Sequence, residues 1–152
     1  MPRFLIINGP NLNMLGEREP EIYGRVSLDD IRLKCETHSK RVGAELDFRQ
    51  SNSEGQIIDW IQSACETTDG IIINPAAFTH TSVGILDALI LTKLPVVELH
   101  ISNIFRRESF RQHSYVSKGA TGIISGFGAN GYTLAIDAMM NLAAPQRRAN
   151  GE

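Results

Sequence analysis

The chain has 152 residues, a net charge of −2, and an ordinary globular balance of 42% hydrophobic and 21% charged residues. This length fits one domain that buries about 70% of its extended surface. The 15 basic and 17 acidic residues argue against a nucleic-acid-binding surface, which needs a clustered basic stripe. No apolar run approaches the ~20 residues of a membrane span, and the N-terminus lacks a signal-peptide pattern. We therefore expect neither a nucleic-acid partner nor a membrane partner.

The first half of the chain alternates short apolar runs with amphipathic segments. The runs FLII (4–7) and AELDFR (44–49) predict strands one and two. Ser27 precedes a helical pattern with acids in its first turn, which predicts the start of the first helix. Ser53 and Gln56 have the spacing of a capping box, which predicts the start of the second.

The second half repeats the alternation three times. GIIINP (70–75), VVELHIS (96–102) and ATGIISGFG (120–128) predict strands three to five. THTSVGILDALILTKLP (79–95) predicts the third helix, and ANGYTLAIDAMMNLAA (129–144) predicts the last. Between strands four and five the chain is polar, with room for a short helix.

Strands that are apolar almost throughout and alternate with helices are typical of a parallel sheet covered on both faces. We therefore predict an α/β, flavodoxin-like domain with a five-stranded parallel sheet. Residues 1–152 would form this single domain, with a flexible tail over about 145–152. Ligands of such sheets bind beyond the carboxyl ends of the strands, so functional residues should follow strands.

Two cysteines follow apolar residues at helical spacing, which predicts that Cys35 and Cys65 are both small core side chains. The sequence contains no C-x-x-C or H-x-x-x-H spacing, which disfavours a metal site. Unpaired thiols are typical of a reducing compartment, and we expect a cytoplasmic protein.

The segment GFGANG (126–131) matches the glycine pattern of dinucleotide-binding proteins. That pattern belongs to the first unit of a sheet, followed by a further strand and an acidic residue. Here it falls in the last unit, and the chain ends soon after. A tight turn into the last helix is therefore the better interpretation.

Two histidines follow predicted strands. His100 ends strand four beside Ile101 and Ser102, and it is either a packed core residue or a general acid or base. The strand-end position favours catalysis. His80 is predicted near the start of the third helix, where capping the helix and holding a ligand oxygen are equally good interpretations. Asp87 lies seven residues later on the same predicted helix face, where it would orient a histidine or remain exposed.

A cationic cluster follows strand four. Arg111 is a candidate for binding a substrate carboxylate, because a planar guanidinium pairs well with a carboxylate. For Arg106 we expect a surface ion pair with Glu98 or Glu108. No lysine ends a strand and no G-x-S-x-G motif occurs, which argues against a Schiff base and a serine nucleophile. Tyrosine, arginine, histidine and amide side chains around one crevice suit proton abstraction beside a carbonyl.

Four long segments resemble the signature sequences of type II 3-dehydroquinate dehydratase. They are IINGPNLNMLGEREPEIYG, NPAAFTHTSVGILDAL, ELHISNIFRRESFRQHSYVS and GATGIISGFGANGYTLAI. The resemblance covers nearly the whole chain in order. Small departures are Met14 where leucine is usual, Ala76 where glycine is frequent and Phe78 where tyrosine is frequent.

The resemblance implies a flavodoxin-like subunit that assembles into trimers, four of which form a homododecamer. It implies dehydration of 3-dehydroquinate to 3-dehydroshikimate without a metal or other cofactor. The reaction would belong to the shikimate pathway of aromatic amino acid biosynthesis or to quinate breakdown.

The resemblance also implies residue roles. Tyr23 would be the proton acceptor, His100 the proton donor, and Arg18 the cation that activates the tyrosine and stabilises the transition state. Asn11 would place a water molecule or the developing enolate oxygen, and the loop GEREPEIYG (16–24) would be a mobile lid. The expected substrate-binding residues are Asn74, His80, Asp87, Ile101, Ser102 and Arg111.

Two other kinds of function fit the residues. A flavodoxin-like module could bind an anionic small ligand without catalysis, using the same asparagines and arginines. A purely structural assembly subunit would explain the fold but would leave the polar side chains at the strand ends unexplained.

Overall fold

The computed structural model of the chain describes residues 1–17, 21 and 25–149. The strands are β1 (Arg3–Asn8), β2 (Glu45–Gln50), β3 (Gly70–Asn74), β4 (Val96–His100) and β5 (Gly122–Ser125). The α-helices of the described residues are α1 (Leu28–Val42), α2 (Glu54–Thr67), α3 (Val83–Thr92) and α4 (Asn130–Ala149).

The strands form one parallel sheet in the order β2-β1-β3-β4-β5. The strand order reverses next to β1, because β2 lies on one side of it and β3 on the other. This is the flavodoxin-like arrangement, and the predicted fold class is confirmed. The reversal creates a crevice at the carboxyl ends of β1 and β3.

Each strand sends alternate side chains to opposite faces of the sheet. Phe4 and Ile6 of β1 pack with α1 and α4, whereas Leu5 and Ile7 pack with α2 and α3. All four side chains are at most 3% exposed. Burying an aliphatic or aromatic side chain of this size contributes about 1.5–3 kcal/mol, so both helix layers are held by the same strand.

The N-termini of α1 and α2 test the two capping boxes predicted from the sequence. Ser27 accepts from the Asp30 N–H and the Asp30 carboxylate accepts from the Ser27 N–H, which is a complete capping box. Ser53 likewise accepts from the Gln56 N–H. The Gln56 side-chain oxygen instead accepts from the Ser51 hydroxyl at 2.5 Å, so the second predicted box is only half formed.

The third helix starts later than the sequence predicts. A 3₁₀ turn at Ala76–His80 precedes it, and α3 begins only after Ser82, whose hydroxyl accepts from the Ile85 N–H at 2.9 Å. The predicted continuous helix over 79–95 is therefore wrong. Ser82 caps the N-terminus of α3 and so separates the helix from the preceding turn.

Glycines shape two backbone segments near the crevice. Gly9 follows β1 and donates its N–H to the Asn74 carbonyl at 2.8 Å. A Cβ at Gly9 would lie 2.3 Å from the carbonyl oxygen of Pro75. In the turn before α4, Gly126 and Gly128 have φ angles of 97° and 61°, which agrees with the predicted tight turn.

The two cysteines differ. Cys35 of α1 is fully buried as predicted, but Cys65 of α2 is exposed, so that prediction is wrong. Both thiols are free. Helix α4 runs on to Ala149 and overlaps the tail predicted over 145–152, whose flexibility stays a prediction. Within the described ranges, no helix combines the length and the apolar character needed to cross a membrane.

Candidate active site

A cavity of about 220 Å³ lies beyond the carboxyl ends of β1, β3 and β4. Seven of the predicted site residues line it. They are Asn11, Asn74, His80, His100, Ile101, Ser102 and Arg111. The fold therefore brings together side chains that follow three different strands.

His100 lines the cavity, and Glu98 is its buried partner. Both belong to β4, two residues apart, so their side chains point to the same face of the sheet. The Nε2–H of His100 donates to Oε2 of Glu98. Glu98 is 0% exposed and His100 is 4% exposed. Because Nε2 is engaged by the carboxylate, Nδ1 is the ring nitrogen that can act on a ligand.

Hydroxyl groups surround the Glu98 carboxylate. Ser117 donates to Oε1 at 2.6 Å, and Thr79 makes a longer contact to Oε2 at 3.5 Å. Burial raises the pKa of Glu98, but the hydrogen bond and charge of His100, aided by Ser117 and Ser114, outweigh it and hold that pKa below its usual range. Glu98 is therefore a carboxylate at neutral pH, and it stabilises positive charge on the imidazole beside it.

His80 is held by a reciprocal pair of hydrogen bonds with the loop after β4. Its Nδ1–H donates to the His113 carbonyl at 2.8 Å, and the Nε2–H of His113 donates to the His80 carbonyl at 3.0 Å. Burial lowers the pKa of His80; the charges of His100 and Arg111 lower it further, while the His113 carbonyl opposes them. His80 is therefore a neutral ring whose Nε2 accepts hydrogen bonds.

The backbone after β4 is fixed by the turn after β5. The carbonyl of His100 accepts from the Gly126 N–H at 3.2 Å, and that of Ile101 accepts from the Gly128 N–H at 3.0 Å. These bonds set the orientation of the peptide groups that lead to Ser102. The glycine-rich turn thus supports the cavity wall.

Comparison with known proteins decides the family. The sequence profile described as Dehydroquinase class II matches residues 2–140. The chain belongs to the class II dehydroquinase family. This membership in a family of enzymes sets aside both the non-catalytic binding module and the purely structural subunit.

Curated relatives match the chain over most of their length. A protein of Phenylobacterium zucineum named 3-dehydroquinate dehydratase is 57% identical over 138 residues, which is 91% of this chain and 95% of that protein. A protein of Pseudomonas aeruginosa named 3-dehydroquinate dehydratase 2 is 55% identical over 133 residues, or 88% of this chain and 90% of the relative.

Solved structures agree with the class II dehydroquinase fold. The type II dehydroquinase of Butyrivibrio crossotus superposes with a TM-score of 0.89 at 44% identity and covers 91% of this chain and 97% of its own. That of Propionibacterium acnes gives a TM-score of 0.88 at 42% identity, with coverage of 95% and 97%.

Of the three remaining predicted site residues, only Asp87 is among the residues that the structure describes. Arg18 and Tyr23 lie outside the described residues, as does most of the predicted lid, so these roles stay predictions. Asp87 is exposed on α3 and does not line the cavity of its own chain. Because α3 begins after His80, Asp87 and His80 do not share one helix face, and that prediction is wrong.

The ion pairs of the rim differ from those predicted. Glu98 is buried in β4 and cannot pair with Arg106 at the surface, so that prediction is wrong. Glu108 instead accepts from the Nε–H of Arg111 at 2.8 Å. Arg111 also lies 4.9 Å from the centre of the Phe110 ring. These two contacts hold the guanidinium at the cavity rim.

Glu98 belongs to the site but was not predicted from the sequence. The available signal was an acid in an otherwise apolar strand, two residues before a candidate histidine. Within the described part of the chain, no three His, Cys, Asp or Glu side chains are grouped so that they could hold a metal ion.

Proposed function

We propose that residues 1–152 form a single catalytic domain that dehydrates 3-dehydroquinate to 3-dehydroshikimate without a metal or organic cofactor. The observation that carries this proposal is the buried Glu98–His100 pair at the carboxyl end of β4, in which His100 lines the cavity. The reaction belongs to the shikimate pathway or to quinate breakdown.

The first step breaks a C–H bond beside the ketone. Tyr23, as tyrosinate, takes the proton, and the electron pair moves onto the ketone oxygen to form an enolate. Tyrosine has a reference pKa near 10, so a nearby cation is needed to favour its charged form at neutral pH. Arg18, five residues earlier in the chain, supplies that cation.

The second step expels the hydroxyl group β to the ketone. The enolate collapses, a C=C bond forms, and the leaving hydroxyl takes a proton from Nδ1 of His100 to depart as water. Glu98 supports this step, because its carboxylate stabilises the charged imidazolium before the proton is transferred. General acid catalysis of this kind contributes about 10²–10⁴-fold in rate.

The remaining cavity residues hold the substrate. Arg111 and the peptide groups of Ile101 and Ser102 suit its carboxylate. The neutral Nε2 of His80 accepts from a ring hydroxyl, since its Nδ1–H is already donated to the His113 carbonyl. Asn74 also contacts the substrate, and Asn11, at the rim after β1, places the enolate oxygen or a water molecule.

The proposal includes the homododecamer, built as four trimers. Asp87 is exposed on α3 and does not line the cavity of its own chain. Its contact with substrate would therefore be made across a subunit interface of the assembly. We also propose a cytoplasmic location, where free thiols such as those of Cys35 and Cys65 persist.

The test of the reaction follows the ultraviolet absorbance of the conjugated enone product after 3-dehydroquinate is added to the purified protein. A steady rise that a chelator does not affect is expected. A folded sample that gives no rise would overturn the proposed activity.

Substitution Tyr23→Phe tests the base. It removes only the phenolic oxygen, so we expect kcat to fall by about 10²-fold or more while substrate binding changes little. Calorimetric titration with quinate, which carries a hydroxyl in place of the ketone, measures binding separately. If Tyr23→Phe kept most of the wild-type kcat, Tyr23 would not be the proton acceptor.

A further inference from the structure

A continuous row of buried polar groups runs beneath the cavity on the α1 and α4 face of the sheet. Asn8 donates from Nδ2 to the Arg49 carbonyl at 3.0 Å, and the Tyr132 hydroxyl donates to Oδ1 of Asn8 at 2.6 Å. Asn74 donates from Nδ2 to the Tyr132 oxygen at 2.9 Å, and its Oδ1 accepts from the Ala76 N–H at 3.3 Å. The row crosses β2, β1, α4 and β3.

The three side chains of this row are shielded from water. Asn8 and Tyr132 are 0% exposed, and Asn74 is 3% exposed. A buried polar group without a partner costs about 1–3 kcal/mol, so each of these groups is under pressure to keep its hydrogen bonds. Water cannot readily replace a lost partner of Asn8 or Tyr132, which do not line the cavity.

The direction of every hydrogen bond in the row is fixed by its two ends. At one end, the Arg49 carbonyl can only accept, so Asn8 must present Nδ2 to it and Oδ1 to Tyr132. The Tyr132 hydroxyl must then donate to Asn8 and accept from Asn74. At the other end, the Ala76 N–H can only donate, which independently places Oδ1 of Asn74 toward it.

Both ends therefore require the same orientation of the Asn74 amide. An asparagine side chain can turn by 180° and exchange its oxygen and nitrogen, which reverses the pattern it offers to a ligand. In the fixed orientation, Asn74 has one N–H hydrogen and one oxygen lone pair left for other partners. Since Asn74 lines the cavity, these are the groups it has for a ligand.

We propose that Tyr132 is a positioning residue for the substrate, acting through Asn74 by fixing the orientation of its amide. This inference rests on the proposed function, which makes Asn74 a substrate contact. Tyr132 itself lies on α4, is fully buried and does not line the cavity. The Arg49 carbonyl, on the outermost strand β2, thus sets the direction of each hydrogen bond in the row as far as Asn74 at the cavity.

The state of the phenol agrees with this role. Burial raises the pKa of Tyr132, and the hydrogen bond from Asn74 opposes it only partly. The hydroxyl therefore keeps the proton that it donates to Asn8. The ring also packs against Phe48, with ring centres 6.3 Å apart, a contact that phenylalanine at position 132 would retain.

A double-mutant cycle in kcat/KM tests the proposal. Tyr132→Phe should raise KM for 3-dehydroquinate about 5- to 30-fold with a smaller change in kcat, because binding loses an oriented contact. In an Asn74→Ala background the same substitution should leave kcat/KM unchanged within about twofold. An equal loss in both backgrounds, or an unchanged KM in the single variant, would overturn it.

Asn8→Ala provides a second route if Tyr132→Phe does not fold. It keeps the Tyr132 hydroxyl but removes the acceptor that fixes its direction, so only the Ala76 N–H still orients the Asn74 amide, and KM should also rise. An unchanged KM in Asn8→Ala would count against the proposal. Tyr115→Phe is the matched control, since Tyr115 is 38% exposed, and its kinetics should equal those of the wild type.

Melting temperatures separate this inference from the proposed function, because they need no substrate. The single and double variants of Tyr132→Phe and Asn74→Ala should lower Tm non-additively if the two groups share one network. Non-additive shifts in a protein that does not turn over 3-dehydroquinate would sink the proposed function while leaving the network intact. Additive shifts would sink the network itself.

Discussion

Two buried polar networks end at the same cavity, and they lie on opposite faces of the sheet. One consists of the neutral groups of Asn8, Tyr132 and Asn74 on the α1 and α4 face. The other is the ionisable pair Glu98 and His100 on the α2 and α3 face. The comparison separates two tasks: the neutral network fixes geometry, and the ionisable pair holds and moves a proton.

The buried polar groups of the two networks are also compensated in different ways. In the neutral one, each amide and hydroxyl gains one donor and one acceptor partner, so no charge needs compensation. In the other, the Glu98 carboxylate is fully buried and needs His100 and the Ser117 hydroxyl to remain ionised. Changes to the first network should therefore act equally at all pH values, whereas changes to the second should depend on pH.

The largest expected effect comes from Glu98→Gln, which keeps the shape of the side chain and removes its charge. We expect kcat to fall by about 10²-fold with little change in KM, since the imidazolium of His100 loses its anionic partner. Steady-state kinetics measure both constants. Glu66→Gln, at an exposed position of α2, is the matched control. A kcat within about threefold of wild type would remove Glu98 from the chemistry.

Ser117→Ala should have a smaller effect, visible in stability against pH. The folded-state pKa of Glu98 is depressed, so its carboxylate contributes stability above the unfolded pKa of about 4.3, and this contribution is lost as pH falls through the lower folded value. Removing the Ser117 hydroxyl raises the folded pKa. The free energy of unfolding should fall by about 1 kcal/mol at neutral pH, and the loss should shrink in acid.

Denaturant unfolding from about pH 3 to pH 7 measures this difference. Asn8→Ala is the matched control in the neutral network, and it should lower the free energy of unfolding by about 1–3 kcal/mol with no pH dependence. A pH-independent loss in Ser117→Ala would contradict the distinction between the two networks.

The smallest expected effect is a gain in stability from Ala76→Gly. Ala76 donates the N–H that anchors the neutral network, and its φ angle is 51°, in the left-handed region that disfavours residues with a Cβ. Glycine removes this strain, partly offset by the greater entropy of the unfolded chain, for a net gain of about 0.5 kcal/mol. Thermal unfolding measures it. Ala77→Gly in the same turn is the control and should be destabilising. If both variants lost stability, backbone strain at Ala76 would be refuted.

The alternation of strands and helices predicted the fold well, because most of the strands are largely apolar runs with turn residues at their ends. His100 was predicted from its place at such an end. Its partner Glu98 was interpreted as a surface acid, although the period of two along a strand places both on one face. The error arose because a charged residue in an apolar strand was assigned to solvent rather than to a buried partner.

The neutral network could not be predicted in the same way. Asn74 and Tyr132 are separated by 58 residues, and Asn8 and Tyr132 by 124. No local pattern links an aromatic residue on a helix to amides at two strand ends. Only the strand order, with β1 beside β3 and α4 across both, brings these groups together.

The contact between Gly9 and Pro75 has a consequence for how this protein can vary over evolution. Wherever two loops meet through side chains, a substitution on one can be compensated by a substitution on the other. Here a Cβ would lie 2.3 Å from a backbone oxygen, and no side-chain exchange at position 75 moves that oxygen. Substitutions elsewhere in the cavity wall can change its chemistry. The close spacing of these two loops, in contrast, requires glycine at position 9.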